Sequence, residues 1–331
     1  MERFALAAAV VLGFALTAAL CSLFVPLRRV LERREQNQQP VQSEQPRPAP
    51  LRVPLWGGLC AAAGTVAAVG VGWLAACVGQ PELLGSEGRL MTRLLTALAG
   101  SLAFGAVGLA EDLARMRSPA ALGLRRDVRL LLEALAAAFV LLLLQAAGCL
   151  PRGLDVPGAG YVLLGSAVPF LWAVLMVALA ECARIAERDE GTVCGAAFVA
   201  MLALMMAEAG LGVPGLAVLP AALAGALVAL LLWAFPPARL GVGCCGSLLA
   251  AGAIGCIPLS LDMTSLTVPL ALPFWAAGGL LAAQLLGAKR TGKPLRCWVK
   301  KHKMSPETVF LCSFALSAVG YVLALALLRW C

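Results

Sequence analysis

Ten long apolar stretches divide this chain of 331 residues and constrain its fold more than any other feature. Most are close to the roughly 20 apolar residues that a helix needs to cross a bilayer. The predicted spans are residues 4–27, 55–78, 94–110, 128–148, 160–180, 193–209, 211–233, 240–261, 266–287 and 308–328. Unbroken runs such as Leu130–Leu144 lack the alternation of a barrel strand. The sequence therefore predicts an all-α, polytopic integral membrane protein with about ten transmembrane helices.

The lysines and arginines are divided unevenly between the connections. Of the 26, 21 lie in or beside odd-numbered connections, three in even-numbered ones and two near the ends of the chain. Short loops rich in Lys and Arg stay on the cytoplasmic side of a membrane. We therefore expect the odd-numbered connections to face the cytoplasm and both termini to be external. The polar chemistry is then expected on the cytoplasmic face of the membrane.

Composition excludes a soluble globular class, because 61% of the residues are hydrophobic and only 13% are charged. The net charge of +8 is spread over several loops, so it predicts topology and contact with membrane lipids, and no nucleic acid partner. The longest polar stretch, Arg28–Arg52, is too short for a core of its own. We therefore predict one transmembrane domain over residues 1–331. The first span exceeds the apolar core of a signal peptide and is expected to be a retained helix.

Polar segments gather at the cytoplasmic ends of the predicted spans. Five of them are Val53–Gly58, Gly108–Asp112, Glu181–Gly191, Pro236–Ser247 and Lys289–Glu307. Ionisable groups near a membrane boundary are costly unless they are solvated or functional, and loops from distant parts of a chain can build one site. The pattern predicts a cytoplasmic-face site for a polar donor and a lipid acceptor.

The same segments carry short motifs in a fixed order. They are Pro54-Leu-Trp-Gly-Gly58, Gly108-Leu-Ala-Glu-Asp112, Gly243-Cys-Cys-Gly-Ser247, Thr291-Gly-Lys293 and Ser305-Pro-Glu-Thr308. In order and spacing they resemble the phospho-N-acetylmuramoyl-pentapeptide transferases and related polyprenyl-phosphate phosphosugar transferases, over roughly residues 50–310. The resemblance implies ten transmembrane helices with external termini, in a bacterial inner membrane. It also implies transfer of phospho-N-acetylmuramoyl-pentapeptide from a UDP donor to undecaprenyl phosphate, a step of peptidoglycan precursor synthesis for the cell wall.

The resemblance assigns roles to individual residues. The catalytic roles fall on Asp112, Glu111, Glu187, Glu190 and His302. The substrate-binding roles fall on Arg129, Glu181, Arg184 and Lys293. In this comparison Glu187 and Glu190 replace two family aspartates, while Glu181 and Arg184 replace two asparagines. The partners implied are undecaprenyl phosphate, a UDP-linked sugar-peptide donor and membrane lipids, and a homodimer is left open.

Magnesium is the cofactor that the resemblance implies. Cys244 occupies the position of the family's magnesium-binding aspartate, and Glu187 is the second candidate ligand. A thiol is a poor ligand for a hard cation that prefers oxygen. Glu in place of Asp also moves a carboxylate by one methylene, and a misplacement of 1 Å can cost on the order of 100-fold in rate.

These departures leave a second interpretation open, a catalytically silent paralogue, or pseudoenzyme, that binds polyprenyl phosphate or a membrane partner. A structural alternative exists for several residues as well. Glu181 with Arg184, and Arg184 with Arg188, have helical i,i+3 and i,i+4 spacing, so the alternative for Glu181–Glu190 is a self-paired interfacial helix. The alternative for Gly57, Gly58, Gly243 and Gly246 is that they allow tight turns and close packing.

Overall fold

A computed structural model of the protein describes residues 2–37, 56–79, 88–117, 123–151, 153–156, 160–163, 165, 167–187, 191–213, 215–235, 238–286 and 305–330. Ten helices of at least 15 residues make up most of this described part. They are α1 (Glu2–Asn37), α2 (Gly57–Gly79), α3 (Gly88–Arg117), α4 (Arg126–Ala146), α5 (Ala167–Ala186), α6 (Thr192–Gly210), α7 (Val218–Ala234), α8 (Gly243–Ser260), α9 (Leu272–Leu286) and α10 (Pro306–Trp330). Before α5, strands β1 (Gly153–Val156) and β2 (Gly160–Leu163) form an antiparallel hairpin in which Gly153 pairs with Leu163.

Within these residues, seven helices are long and apolar enough to cross a membrane: α1, α2, α3, α5, α6, α8 and α10. The α7 helix is apolar but shorter. The prediction of an all-α membrane protein is therefore confirmed to this extent. The count of ten spans, the external termini and the single domain stay predictions.

Three predicted spans were wrong in their bounds. The span at 160–180 begins with strand β2, and its helix starts only at Ala167. The span at 211–233 starts at Val218, because Gly212 takes a left-handed turn with φ of 72°. The ranges are apolar throughout, so hydropathy alone could not separate strand or turn from helix.

The predicted span at 266–287 is not one helix. A 3₁₀ turn at Thr264–Leu266 and a single helical turn at Thr267–Leu270 precede α9. Pro273 has no amide hydrogen to give to the carbonyl of Pro269, and Ala271 leaves helical geometry with φ of −93° and ψ of 8°, so the helix is interrupted here. In the first turn of α9 that missing hydrogen costs nothing.

Helix α8 lies at the centre of the bundle. Its whole span is buried, and it packs against α2, α3, α5 and α6. Glycines let α3 approach it closely: a Cβ added to Gly108 would overlap the Cys244 carbonyl, and one added to Gly105 would lie 3.3 Å from Leu249. This agrees with the use of small residues at helix contacts in lipid, where close backbone approach replaces hydrophobic driving force.

The start of α2 is joined to the chain before α8 by two backbone hydrogen bonds. The amide of Gly57 donates to the Gly241 carbonyl at 3.2 Å, and that of Gly58 donates to Val242 at 2.9 Å. A Cβ on Gly58 would overlap the backbone of Gly246. The glycine pair is therefore required by packing, as one of the alternatives above predicted.

We expect Gly58→Ala to lower the free energy of unfolding by about 1–3 kcal/mol, because backbone on both sides must shift to admit the methyl group. Gly70 is the matched control on the same helix, since nothing lies within 4 Å of an added Cβ there. Gly70→Ala should be neutral or stabilising by up to about 1 kcal/mol. Unfolding followed by tryptophan fluorescence in detergent checks both variants. Equal stability of the two would contradict the packing argument.

Candidate functional site

Four of the five predicted polar segments meet at one end of the bundle. The start of α2 contacts the loop before α8, and the end of α3 contacts the first turn of α8. The start of α4 contacts the end of α5, whose following turn reaches Cys244. The prediction that segments from distant parts of the chain converge is thus confirmed for these four. Most of the fifth, Lys289–Glu307, lies outside the described residues.

Asp112 caps helix α8. Gly243 has φ of 71°, a left-handed conformation that turns the chain into the helix. The amides of the next two residues then point at the carboxylate: Cys244 N donates to Oδ1 at 3.0 Å and Cys245 N donates to Oδ2 at 2.9 Å. A helix leaves its first amides without partners and carries a partial positive charge there. Both oxygens of this buried carboxylate are therefore used to stabilise the start of α8.

Arg115 bridges three carboxylates. Its Nη2 donates to Glu111 Oε1 at 2.8 Å, and its Nη1 lies 3.7 Å from Asp112 Oδ1 and 3.5 Å from Glu187 Oε2. The Cys244 thiol donates to the same Glu187 oxygen at 3.7 Å. The guanidinium thus lies among the acidic residues that the resemblance made catalytic.

Glu187 is held by the short connection between α5 and α6. Its amide donates to the Ala183 carbonyl at 2.9 Å, which continues the helical pattern one residue beyond α5. The Thr192 hydroxyl donates to the Ala186 carbonyl at 3.0 Å and ties the start of α6 to the end of α5. Both ends of the loop are therefore fixed, and Glu187 is directed at the first turn of α8.

A second set of ion pairs surrounds Glu181. Arg129 donates from Nε to Glu181 Oε1 at 2.7 Å and from Nη2 to Oε2 at 3.3 Å, and Arg184 Nη2 donates to Oε2 at 2.7 Å. Arg129 also lies 3.7 Å from Glu111, which connects this set to Arg115. The predicted ion pair of Glu181 and Arg184 is confirmed, and Arg129 from α4 joins it. The helix predicted over Glu181–Glu190 was wrong in its end, because α5 ends at Ala186.

Sequence reasoning missed two members of the site. Arg115 was counted only as a topology residue, although it follows Glu111 by four positions and Asp112 by three, a helical ion-pair spacing. Glu133 is fully buried, has Arg129 Nε at 4.0 Å, and has no hydrogen-bond partner for either oxygen. The sequence indicates Glu133 as well, because it is the one carboxylate inside the apolar run Leu130–Leu144 and follows Arg129 by four residues.

Eight side chains at this end of the bundle form what we call the charged cluster. Its members are Glu111, Asp112, Arg115, Arg129, Glu133, Glu181, Arg184 and Glu187. The structure therefore brings together the predicted residues Asp112, Glu111, Glu187, Arg129, Glu181 and Arg184, with Cys244 beside them. The other three predicted site residues, Glu190, His302 and Lys293, lie outside the described residues.

The side chains do not fit a magnesium ion in this arrangement. Asp112 has both oxygens bonded to backbone amides, and Glu187 faces a thiol and a guanidinium. Over the described ranges, no group of three or more His, Cys, Asp or Glu side chains has a geometry that could hold a metal ion. Magnesium needs near-octahedral oxygen ligands at about 2.0–2.1 Å, and these oxygens are engaged by hydrogen-bond donors of the chain.

Comparison with known proteins identifies the family. The model of glycosyl transferase family 4 matches residues 94–262, half of the chain, and the match includes most of α3 together with Glu181, Glu187 and Cys244. The chain belongs to this family. Of the cluster and its surroundings, only the start of α2 and the segment after residue 262 lie outside the match.

Three relatives of this glycosyl transferase family 4 member carry the name phospho-N-acetylmuramoyl-pentapeptide-transferase. That of Mycobacterium tuberculosis is 28% identical over 265 residues, 72% of each chain. That of a Synechococcus species is 30% identical over 212 residues, 63% of this chain and 55% of the relative. That of Desulforudis audaxviator is 32% identical over 170 residues, 48% of this chain and 50% of the relative. The resemblance drawn from the motifs is thereby confirmed at the level of the family.

Proposed function

We propose that this chain is a membrane-embedded phosphosugar transferase of low activity, which moves phospho-N-acetylmuramoyl-pentapeptide from a UDP donor to undecaprenyl phosphate. The observation that carries the proposal is the charged cluster itself. Four separated segments of a family 4 chain meet at one end of the bundle, and the distribution of lysines and arginines predicts that this end is cytoplasmic. A site at that boundary can receive a soluble nucleotide donor from the cytoplasm and a lipid phosphate from the inner leaflet.

Charge argues for a slow reaction. The charged cluster has five carboxylates and three guanidiniums, so it carries an excess of two negative charges when all are ionised. Transfer from a diphosphate to a lipid phosphate brings two anions together and depends on positive charge at the reacting groups. Each guanidinium of the cluster already contacts a carboxylate. The basic segment Lys289–Lys303, which holds seven lysines and arginines, is one proposed source of added positive charge.

The direct test is a transfer assay with purified protein, the UDP-linked donor and undecaprenyl phosphate, measured as lipid-linked product. We expect product above the background without protein, at a rate about 100-fold or more below that of a relative with the complete family motifs. Glu187→Gln should bring the remaining rate to background, while Asp127→Asn, an exposed residue at the start of α4, should not change it.

The second candidate is a catalytically silent paralogue that binds polyprenyl phosphate. The contacts that favour the loss of catalysis are the bidentate pair of Arg129 with Glu181 and the bridging position of Arg115, because a guanidinium paired with carboxylates offers less positive charge to the two reacting anions. A complete absence of product, together with saturable binding of undecaprenyl phosphate, would select this candidate over the transferase. A turnover equal to that of a motif-complete relative would overturn both.

A further inference from the structure

Arg115 is surrounded by carboxylates in the way that a bound metal cation would be, but here the positive charge is a side chain of the protein. Three carboxylates from two separate segments, Glu111 and Asp112 on α3 and Glu187 after α5, lie within 4 Å of one guanidinium. The side chain of Arg115 is only 16% exposed, and those of the three acids are between 1% and 9% exposed. Carboxylates gathered at this depth repel one another unless a positive charge lies between them.

The same acids have few oxygens left for a second cation. Asp112 accepts two backbone amides, and the Glu187 oxygen nearest Arg115 also accepts the Cys244 thiol. Glu111 Oε1 accepts from Arg115, which leaves Glu111 Oε2 as a buried oxygen without a hydrogen-bond partner. Within the described part of the chain, Glu187 Oε1 is the other oxygen of these acids without a hydrogen bond or ion pair, so the two remaining oxygens lie on different side chains, and the second oxygen of each carboxylate is taken by Arg115. Magnesium at this site would have to displace the guanidinium or complete its octahedron mainly with water.

We propose that Arg115 is the resident cation of this site and holds the ends of α3 and α5 against the start of α8 without a divalent metal. Arg suits this position because its charge is permanent and its planar fork reaches several carboxylates at once. The proposal goes beyond the transferase function and does not depend on whether the chain catalyses transfer. It predicts that magnesium does not change the thermal stability of the protein as long as Arg115 is present, and this can be measured without any activity assay.

The test compares thermal unfolding of the full chain in detergent with and without millimolar MgCl₂, against NaCl of equal ionic strength. The wild type should show the same Tm in both. Arg115→Met removes the charge and keeps much of the volume, so its Tm should fall, and magnesium should raise it by about 3 °C or more because a divalent cation can now neutralise the acids. Arg117→Met, an exposed position at the end of the same helix, is the control and should behave like the wild type.

Two further variants keep the proposal testable if Arg115→Met fails to fold. Arg115→Lys keeps the positive charge and should fold with no response to magnesium. The double variant E111Q/R115M removes one negative charge together with the positive one, so it should fold better than Arg115→Met and respond less to magnesium. A magnesium-dependent rise of Tm in the wild type as large as that in Arg115→Met or in E111Q/R115M would overturn the proposal. So would an Arg115→Met protein whose Tm and magnesium response match those of Arg117→Met.

Discussion

Asp112→Ala is expected to destabilise the protein by about 3–5 kcal/mol. The change removes both acceptors of the Cys244 and Cys245 amides and leaves these groups buried at the start of α8. Hydrogen bonds to a charged group contribute about 1.5–3 kcal/mol each, and an unpaired buried polar group adds a desolvation cost. Because α8 lies at the centre of the bundle, we also expect looser packing of the helices around it.

Two controls separate capping from a general loss of acidic charge. Asp112→Asn keeps the shape and one carbonyl acceptor, so its loss should be about half that of the alanine variant. Asp127→Ala removes an exposed carboxylate from the first turn of α4 and should cost less than about 1 kcal/mol. Tryptophan fluorescence of the seven tryptophans during denaturation in detergent measures all three. If Asp112→Ala is no less stable than Asp127→Ala, the carboxylate does not hold α8 in place.

Arg129→Met is expected to cost about 3–5 kcal/mol, because truncating one partner of a buried ion pair leaves the other charges uncompensated. Glu181 would lose two of its three hydrogen bonds, and Glu133 would lose the cation that lies 4.0 Å from it. Arg126→Met is the control on the same helix, since Arg126 is exposed and should contribute less than about 0.5 kcal/mol.

A rescue variant tests the physical reason for that loss. In R129M/E133L the buried carboxylate without a partner is removed as well, and apolar residues of similar size often replace buried ions without loss. We expect it to recover a third or more of the stability lost in Arg129→Met. A double variant that is less stable than Arg129→Met alone would mean that Glu133 has another partner, and that the cluster is not organised around Arg129.

The general fold could be predicted from the sequence because hydrophobic length alone specifies membrane helices. The predicted spans at 55–78, 193–209 and 240–261 coincide closely with α2, α6 and α8. Where prediction failed, the deciding signal was local backbone chemistry inside an apolar range. Pro273 breaks the ninth stretch, and β2 begins at Gly160 with a left-handed φ of 71°. Hydropathy does not register either feature.

The sequence predicted many of the residues of the site, but not the hydrogen bonds and ion pairs between them. Asp112, Glu187 and Cys244 were named from their motifs, and the structure places them in contact through the first turn of α8. Their partners could not be derived, because the bonds join residues far apart in the chain, as between Arg129 and Glu181 at a separation of 52. The pair of Arg115 with Glu111, by contrast, is local, and its i,i+4 spacing on a helix is enough to predict it from the sequence.

The cap on α8 also constrains the order in which the protein can mature. Asp112 and Cys244 are separated by 132 positions, so four further helices are synthesised after α3 before the amides that Asp112 accepts become available. Until α8 has been synthesised, the face of α3 around Gly105 and Gly108 has no helix packed against it. The Asp112 carboxylate also lacks the two backbone amides that donate hydrogen bonds to it. In a chain interrupted before Gly243, the face of α3 that α8 normally covers stays exposed. The Asp112 carboxylate, which is buried in the complete bundle, stays exposed with it. Such unfinished molecules are the ones that a membrane protease or chaperone could distinguish from the completed bundle.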